Sequence, residues 1–214
     1  MQPQTWDADR QAQAAMLGAE VVYLADVDLS PEAAEVRKRM VAKYGKKVGD
    51  FRGSVPMDDF KRQSYVAGLI GGGSLLDVGC AHGVFANIAT LSGRFGCVVG
   101  VDIADYGLYM NVGWDRVVAD ATALPFDAGE FDTVTAQEII EHLPDDKMIK
   151  ALIEFMRVGK SVLVSVPFCE WPIGRSHCQS FNAERLAGMF PDGRFTILVK
   201  ARQGTPWVVI ENVK

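Results

Sequence analysis

A chain of 214 residues, 49% apolar and 23% charged, has the composition of an ordinary globular domain carrying an extension, with enough apolar content for a sizeable core. Its net charge of −5 argues against a surface tuned throughout to nucleic acid. Residues 1–10 are polar with none of the apolar stretch of a secretory leader, and no apolar run reaches the ~18–20 residues that span a bilayer, so a soluble cytoplasmic protein without a membrane partner is expected.

In chain order, residues 1–29 carry little pattern, and 14–24 read as a helix. Ser30-Pro31 is a helix start, with serine as N-cap and proline in the first turn. Val36, Met40, Val41 and Tyr44 then recur at helical spacing until Gly45. A second helix is predicted over 57–70, stopped by Gly71-Gly72-Gly73. From residue 74 the pattern changes to short apolar strands, predicted at 74–79, 97–103, 116–119, 131–137, 161–166, 194–201 and 207–212. Helices are predicted at 83–92, 145–158 and 182–190. Strands apolar on both faces and linked by helices imply a parallel sheet covered on two sides. The last two strands have no helix between them and are expected to form an antiparallel hairpin. Arg37, Lys38, Arg39, Lys43, Lys46 and Lys47 form a basic run, read as a solvated helix face, with a phosphate-bearing substrate as the sharper alternative. Cys80, Cys97, Cys169 and Cys178 form no CxxC pair, which suits a reducing compartment and no disulfide framework.

The strongest signal is Leu75-Leu76-Asp77-Val78-Gly79-Cys80-Ala81-His82-Gly83. An apolar strand runs into a turn of small residues, and a helix opens directly after it. Gly79, Ala81 and Gly83 allow backbone to approach a ligand, and the helix start offers unpaired N–H groups. The spacing is Gly-x-Ala-x-Gly, unlike the GxGxxG of dinucleotide loops. Asp77 adds an acid that can accept from a cationic ammonium, directly or through water. Asp102, ending the strand Val98-Val99-Gly100-Val101, can take both hydroxyls of a ribose.

With these features, followed by Asp120-Ala121, Leu124-Pro125-Phe126, Phe131-Asp132 and Val162 to Pro167, residues 70–213 resemble the class I S-adenosylmethionine methyltransferases. Ala81 replaces the middle glycine of that family's first motif. The resemblance implies a Rossmann-like doubly wound α/β fold: seven strands, mostly parallel, in the order 3-2-1-4-5-7-6 with the last antiparallel. It divides the chain into an N-terminal helical extension, 1–70, covering the substrate, and a methyltransferase domain, 71–214. It also implies S-adenosylmethionine as cofactor, leaving as S-adenosylhomocysteine, with Asp77, Gly79, Cys80, Ala81, Gly83, Asp102, Ile103, Asp120, Ala121 and Gln137 around it and Asp120 at the adenine amino group.

The acceptor side is expected in the loops after the fourth and fifth strands. In Gln137-Glu138-Ile139-Ile140-Glu141-His142 a helical turn would put Glu138, Glu141 and His142 on one face. His142, with Glu141 beside it, is a candidate general base, and His177 a further catalytic candidate. The same three residues, Glu138, Glu141 and His142, form a possible metal set, ranked below a metal-free base. Glu-x-x-Glu-His is similar to the pattern of ubiquinone-pathway O-methyltransferases and small-RNA 2′-O-methyltransferases, where it serves a metal. The bland reading makes Glu141 and His142 a brace before Pro144. A zinc cluster of Cys169, His177 and Cys178 has only three ligands at irregular spacing and is set aside. Phe168, Trp171, Pro172, His177 and Phe181 make 167–181 either a lid over a flat acceptor or a loop packing its rings on the domain edge. The expected activity is methyl transfer to oxygen or nitrogen of a small-molecule acceptor. An RNA 2′-O-methyltransferase and a non-catalytic S-adenosylmethionine binder are the alternatives. A dehydrogenase is disfavoured by the loop spacing and by the absence of a Tyr-x-x-x-Lys pair.

Overall fold

In the computed structural model, residues 6–44, 57–105, 107, 110–201 and 204–213 are described. The chain runs α1 (Ala8–Met16), β1 (Glu20–Tyr23), α2 (Pro31–Tyr44), α3 (Met57–Leu69), β2 (Gly73–Val78), α4 (Val84–Leu91), β3 (Phe95–Asp102) and β4 (Asp115–Val118). It continues through β5 (Phe131–Gln137), a 3₁₀ turn (Ile140–His142), α5 (Asp145–Val158), β6 (Gly159–Pro167), α6 (Ala183–Met189), β7 (Arg194–Val199) and β8 (Trp207–Glu211). Eight strands form one sheet in the order β1-β7-β8-β6-β5-β2-β3-β4. Seven of them follow the order expected from the sequence, and β8 is antiparallel to both of its neighbours.

The eighth strand corrects the expectation of seven. β1 pairs in parallel with β7, Val21 opposite Ile197 and Tyr23 opposite Val199. The helix expected over 14–24 is therefore two elements. α1 stops at Met16, Gly18 turns the chain at φ +59°, and the β-branched Val21 and Val22 extend.

The sheet is covered on both faces because the strand residues alternate between two cores. Leu76, Val78, Val134, Ala136, Val164 and Ile210 pack toward α1, α5 and α6. Leu75, Val98, Leu163, Trp207 and Val209 pack toward α2, α3 and α4. On that second face, near the carboxyl ends of the strands, polar residues replace the apolar ones at alternate positions: Asp77 on β2, Thr135 and Gln137 on β5, and Ser165 on β6. Here the two faces of the fold stop being equivalent, and ligands of open α/β sheets bind outside these strand ends. Of the basic run, Arg37, Lys38, Arg39 and Lys43 lie exposed on α2, with Lys38 and Arg39 both paired to Glu35, while Lys46 and Lys47 lie outside the described residues. Among the described residues no helix is long and apolar enough to cross a membrane.

Candidate active site

β2 ends at Val78, and the chain turns sharply at Gly79, whose φ of +76° only glycine adopts freely. A side chain there would also press on Ile139. The Gly79 and Cys80 N–H groups both donate to the Val101 carbonyl, at 2.8 and 3.0 Å, which locks the turn to β3. Gly83 then starts α4 at φ +78° with no side-chain cap, so the first N–H groups of the helix point at the loop without an intrahelical partner. Asp102 closes the arrangement: its carboxylate accepts from Ala81 N at 2.8 Å and from Ile103 N at 2.8 Å.

Together these segments wall a cavity of about 530 Å³, lined among others by Gly79, Ala81, Asp102, Ile103, Asp120 and Ala121. Six of the ten predicted cofactor residues thus face one space. Asp120 accepts from Thr122 N and Oγ1, bonds that hold its carboxyl below the usual range. The other four stand behind the wall. Cys80 is buried, and burial pushes its thiol up to about 12. Gly83 packs against the Trp114 indole. Asp77 is 3% exposed and accepts from Thr135 Oγ1 at 3.1 Å, with burial raising its carboxyl to about 7. Gln137 Oε1 accepts from the Arg62 guanidinium at 2.9 Å. Lys147 and Leu143 also line the cavity, and sequence reasoning missed both, since nothing in the pattern of α5 distinguishes a cavity lysine from a solvated one.

At the other end of the cavity stand Glu138, Ile139 and His142. The helical turn expected over this segment begins later than the sequence implied. Glu138 sits at φ +55°, outside the 3₁₀ turn, and its carboxylate accepts from Ser165 Oγ at 3.0 Å. Glu141 is 1% exposed, and among the described residues neither of its carboxyl oxygens has a hydrogen-bond partner. Burial, and then the nearby Glu138, push its carboxyl well above the ordinary range. His142 is half-exposed beside it.

His177 comes to the same place from the loop after β6. That loop is stitched to the 3₁₀ turn, with Cys178 N donating to the Glu141 carbonyl at 2.7 Å. Glu141, His142 and His177 each bring a ligand-type atom within 4.8 Å of the others. The rings meet edge to face with centroids 4.7 Å apart. Cys169 and Cys178 belong to no such group among the described residues, so the Cys-His-Cys cluster does not form.

The imidazoles are oriented from behind. His142 Nδ1 lies 2.9 Å from the Ser176 carbonyl, which can only accept, so Nδ1 carries a hydrogen and Nε2 is the nitrogen that a neutral ring leaves free to act as a ligand or base. His177 Nδ1 lies 2.5 Å from Glu170 Oε2, with the same consequence. His142 Nε2 faces Glu141 Oε1 at 4.0 Å, beyond hydrogen-bond range, with the carboxyl buried and the ring half-exposed. Glu170 went unpredicted because a loop residue seven positions before His177 shares no helical or strand period with it. Arg62 went unpredicted too. It reaches down from α3 to Gln137 and to Ser165 Oγ at 3.4 Å, a buried guanidinium on the helix stripe that also carries Val66.

The loop over 168–181 divides between its two expected roles. Phe168 and Phe181 are fully buried, whereas Trp171 is 75% exposed.

A family profile described as a methyltransferase domain matches residues 76–162. A ubiquinone biosynthesis O-methyltransferase of Bordetella parapertussis is 30% identical over 109 residues, 46% of this chain and 44% of that protein. Another, of Acinetobacter baylyi, is 25% identical over 159 residues, 66% of this chain and 64% of that one. The chain thus spans less than two thirds of the length of either relative. A crystal structure of an S-adenosylmethionine-dependent methyltransferase from Archaeoglobus fulgidus aligns with a TM-score of 0.58 at 17% identity, over 75% of this chain and 96% of that one. That likeness is one of fold. The matched region runs from the strand before the glycine loop into β6, and over residues 76–162 the chain is similar to a methyltransferase domain.

Proposed function

We propose that the chain moves a methyl group from S-adenosylmethionine to a hydroxyl oxygen of a small-molecule acceptor, with a divalent cation held by Glu141, His142 and His177 next to Glu138. The observation that carries this reading is the convergence of Glu141, His142 and His177 within 4.8 Å, with both Glu141 oxygens buried and without a hydrogen-bond partner among the described residues. A group so arranged is costly unless a cation fills the gap. Two imidazoles and a carboxylate, each ring fixed by an acceptor on its far nitrogen, make a donor set suited to Mn²⁺, Fe²⁺ or Zn²⁺. The sequence ranked the metal below a simple base, and His177 and the orphaned carboxylate reverse that order. Oxygen as the accepting atom is supported by the names of the curated relatives.

Methyl transfer asks the protein chiefly for alignment. S-adenosylmethionine supplies an electrophilic methyl on a sulfonium, and a bound cation supplies Lewis acidity that lowers the pKa of an acceptor hydroxyl. The chain's part is to hold the two in register. Asp102 and Asp120 face the cofactor cavity from β3 and from the loop after β4. Glu138 and His142 line its far end, so an acceptor oxygen arriving at the His142–His177 pair stands beside the same cavity. Burial of Glu141 beneath them excludes water from that side.

The test is the rate of S-adenosylhomocysteine formation with a panel of phenols and catechols. Activity lost to chelator and restored by Mn²⁺ is expected. His142→Ala is expected to cut turnover by about 10²–10⁴-fold with S-adenosylhomocysteine affinity nearly unchanged. Turnover indifferent to both treatments would remove the cation and the base together.

A further inference from the structure

The loop that brings His177 to the site leaves β6 and returns to α6 through a closed neck. Phe168 and Phe181 form a bridge, and the Cys169 N–H donates to the Phe181 carbonyl at 2.8 Å. Everything the site takes from this loop lies beyond the neck: His177, the Glu170 that orients it, and the Ser176 carbonyl that orients His142. The tip of the loop is exposed at Trp171, Ile173, Arg175 and Ser176, and burial returns only at Gln179 close to the neck. The tip takes its position from the neck, from the bonds to the 3₁₀ turn and Leu143, and from Arg185 of α6, which donates to Gln179 and to the Ser180 carbonyl.

α1 grips that neck from outside the sheet. Arg10, 7% exposed, donates Nη2 to the Cys169 carbonyl at 2.8 Å and Nη1 to Asp7 Oδ2 at 2.9 Å. Asp7 in turn caps α1 by accepting from Arg10 N at 3.0 Å. Three residues on, and so on the same helix face, Gln13 Oε1 accepts at 3.0 Å from Ala183 N, the first residue of α6. That N–H belongs to a helix start and has no acceptor within its own helix. One helix face thus holds the outgoing and the returning strand of the loop. The outgoing contact falls on Cys169, held at φ +51°, a conformation that a non-glycine residue keeps only where its surroundings over-determine it.

We propose that Arg10, assisted by Gln13, is a positioning residue of the active site, through which α1 sets the placement of the His177 loop. The proposal draws on the function above only in giving His177 a part in the chemistry. Neither side chain lines the cofactor cavity, so cofactor binding and loop placement are separable.

The experiment follows trypsin cleavage after Arg175, read by mass spectrometry of the released ends, in the full chain with S-adenosylhomocysteine present. Cleavage at an ordered loop reports local opening. Arg10→Met is expected to speed cleavage at this bond by roughly tenfold or more relative to other tryptic sites, Gln13→Leu less so, and Arg10→Lys to recover much of the protection. Affinity for S-adenosylhomocysteine, by calorimetry, is expected to stay within about twofold, since neither side chain lines the cofactor cavity. Titration with Mn²⁺ alone is expected to show affinity lowered in Arg10→Met and regained in Arg10→Lys. Wild-type cleavage in both Arg10→Met and Gln13→Leu overturns the proposal, as does an equal acceleration at every tryptic site, which marks global loosening. A wild-type protein that binds no Mn²⁺ removes the cation from the function above, while the cleavage ratio still decides the role of Arg10.

Discussion

Asp102 and Asp77 are two carboxylates of one loop with opposite environments, and they should respond differently to change. Asp102 stands in the cavity wall with two backbone N–H donors holding its carboxylate in place. Asp102→Ala is expected to weaken S-adenosylhomocysteine binding by roughly 1.5–3 kcal/mol, the scale of hydrogen bonds to a charged group, measured by calorimetry. Asp77 is buried with a single hydroxyl donor, and burial raises its carboxyl to about 7. Between the unfolded value of 3.8 and about 7 the folded chain keeps a proton that the unfolded chain has lost. Stability of the cofactor-free protein from this group therefore falls as pH rises through that window and levels off above it. A ligand ammonium favours the carboxylate, so binding below pH 7 should expel the proton. S-adenosylhomocysteine affinity is expected to rise with pH from 5.5 to 7, by up to about tenfold per unit, and to lose that slope in Asp77→Asn. A flat profile in the wild type would mean that Asp77 braces the loop without sensing the ligand. The places of both residues, at strand ends beside the glycine turn, were legible in the sequence. Arg62 and Glu170 were not, since their roles come from contacts across 75 and 7 residues that no local period encodes.

At the scale of elements, what the sequence displays is burial, and what it hides is backbone pairing. β5 and α5 were read to the residue, because a strand buried on both faces and a helix with Met148, Ala151, Leu152 and Phe155 on one stripe write their environment into side-chain type. β1 left no such record. Glu20, Val21 and Tyr23 are exposed, and the strand is held by its backbone ladder to β7. The 3₁₀ turn was misjudged for a related reason: Glu138 takes a positive φ that glycine, not glutamate, would advertise. The loop before α4 offers a sharp test of an element junction. Gly83 combines φ +78° with a Cα facing the Trp114 indole so closely that a methyl group there would overlap the ring. Gly83→Ala is expected to cost on the order of 1–3 kcal/mol in urea unfolding, from backbone strain and overpacking. S-adenosylhomocysteine affinity should fall with it, because the displaced Trp114 anchors Asn87 of α4 through Nε1 at 3.1 Å.

At the scale of the whole molecule, the standing of residues 1–70 decides whether the fold is a domain with a removable cover or one inseparable unit. The sequence reading expects deletion of 1–56 to leave a domain that binds cofactor but loses turnover. The packing argues for a harsher outcome. That segment contributes Leu24, Val36 and Met40, each 1% exposed or less, to the core on the α4 face, and Ala14 to the core on the other. At about 1.5–3 kcal/mol for each large side chain buried, their loss removes on the order of 5–9 kcal/mol, comparable to the ~5–15 kcal/mol that holds a domain folded. Deletion also strips β1 from β7, leaving the backbone groups of Thr196 to Val199 on an open edge beside the newly bared Leu198. And it takes away the Arg10 and Gln13 contacts to the neck of the His177 loop. We therefore expect the deleted protein to lack a cooperative thermal transition and to bind no S-adenosylhomocysteine by calorimetry, while the full chain shows both. A soluble fragment with wild-type S-adenosylhomocysteine affinity would restore the removable cover and would require α4 to bury its apolar face by some means other than α2.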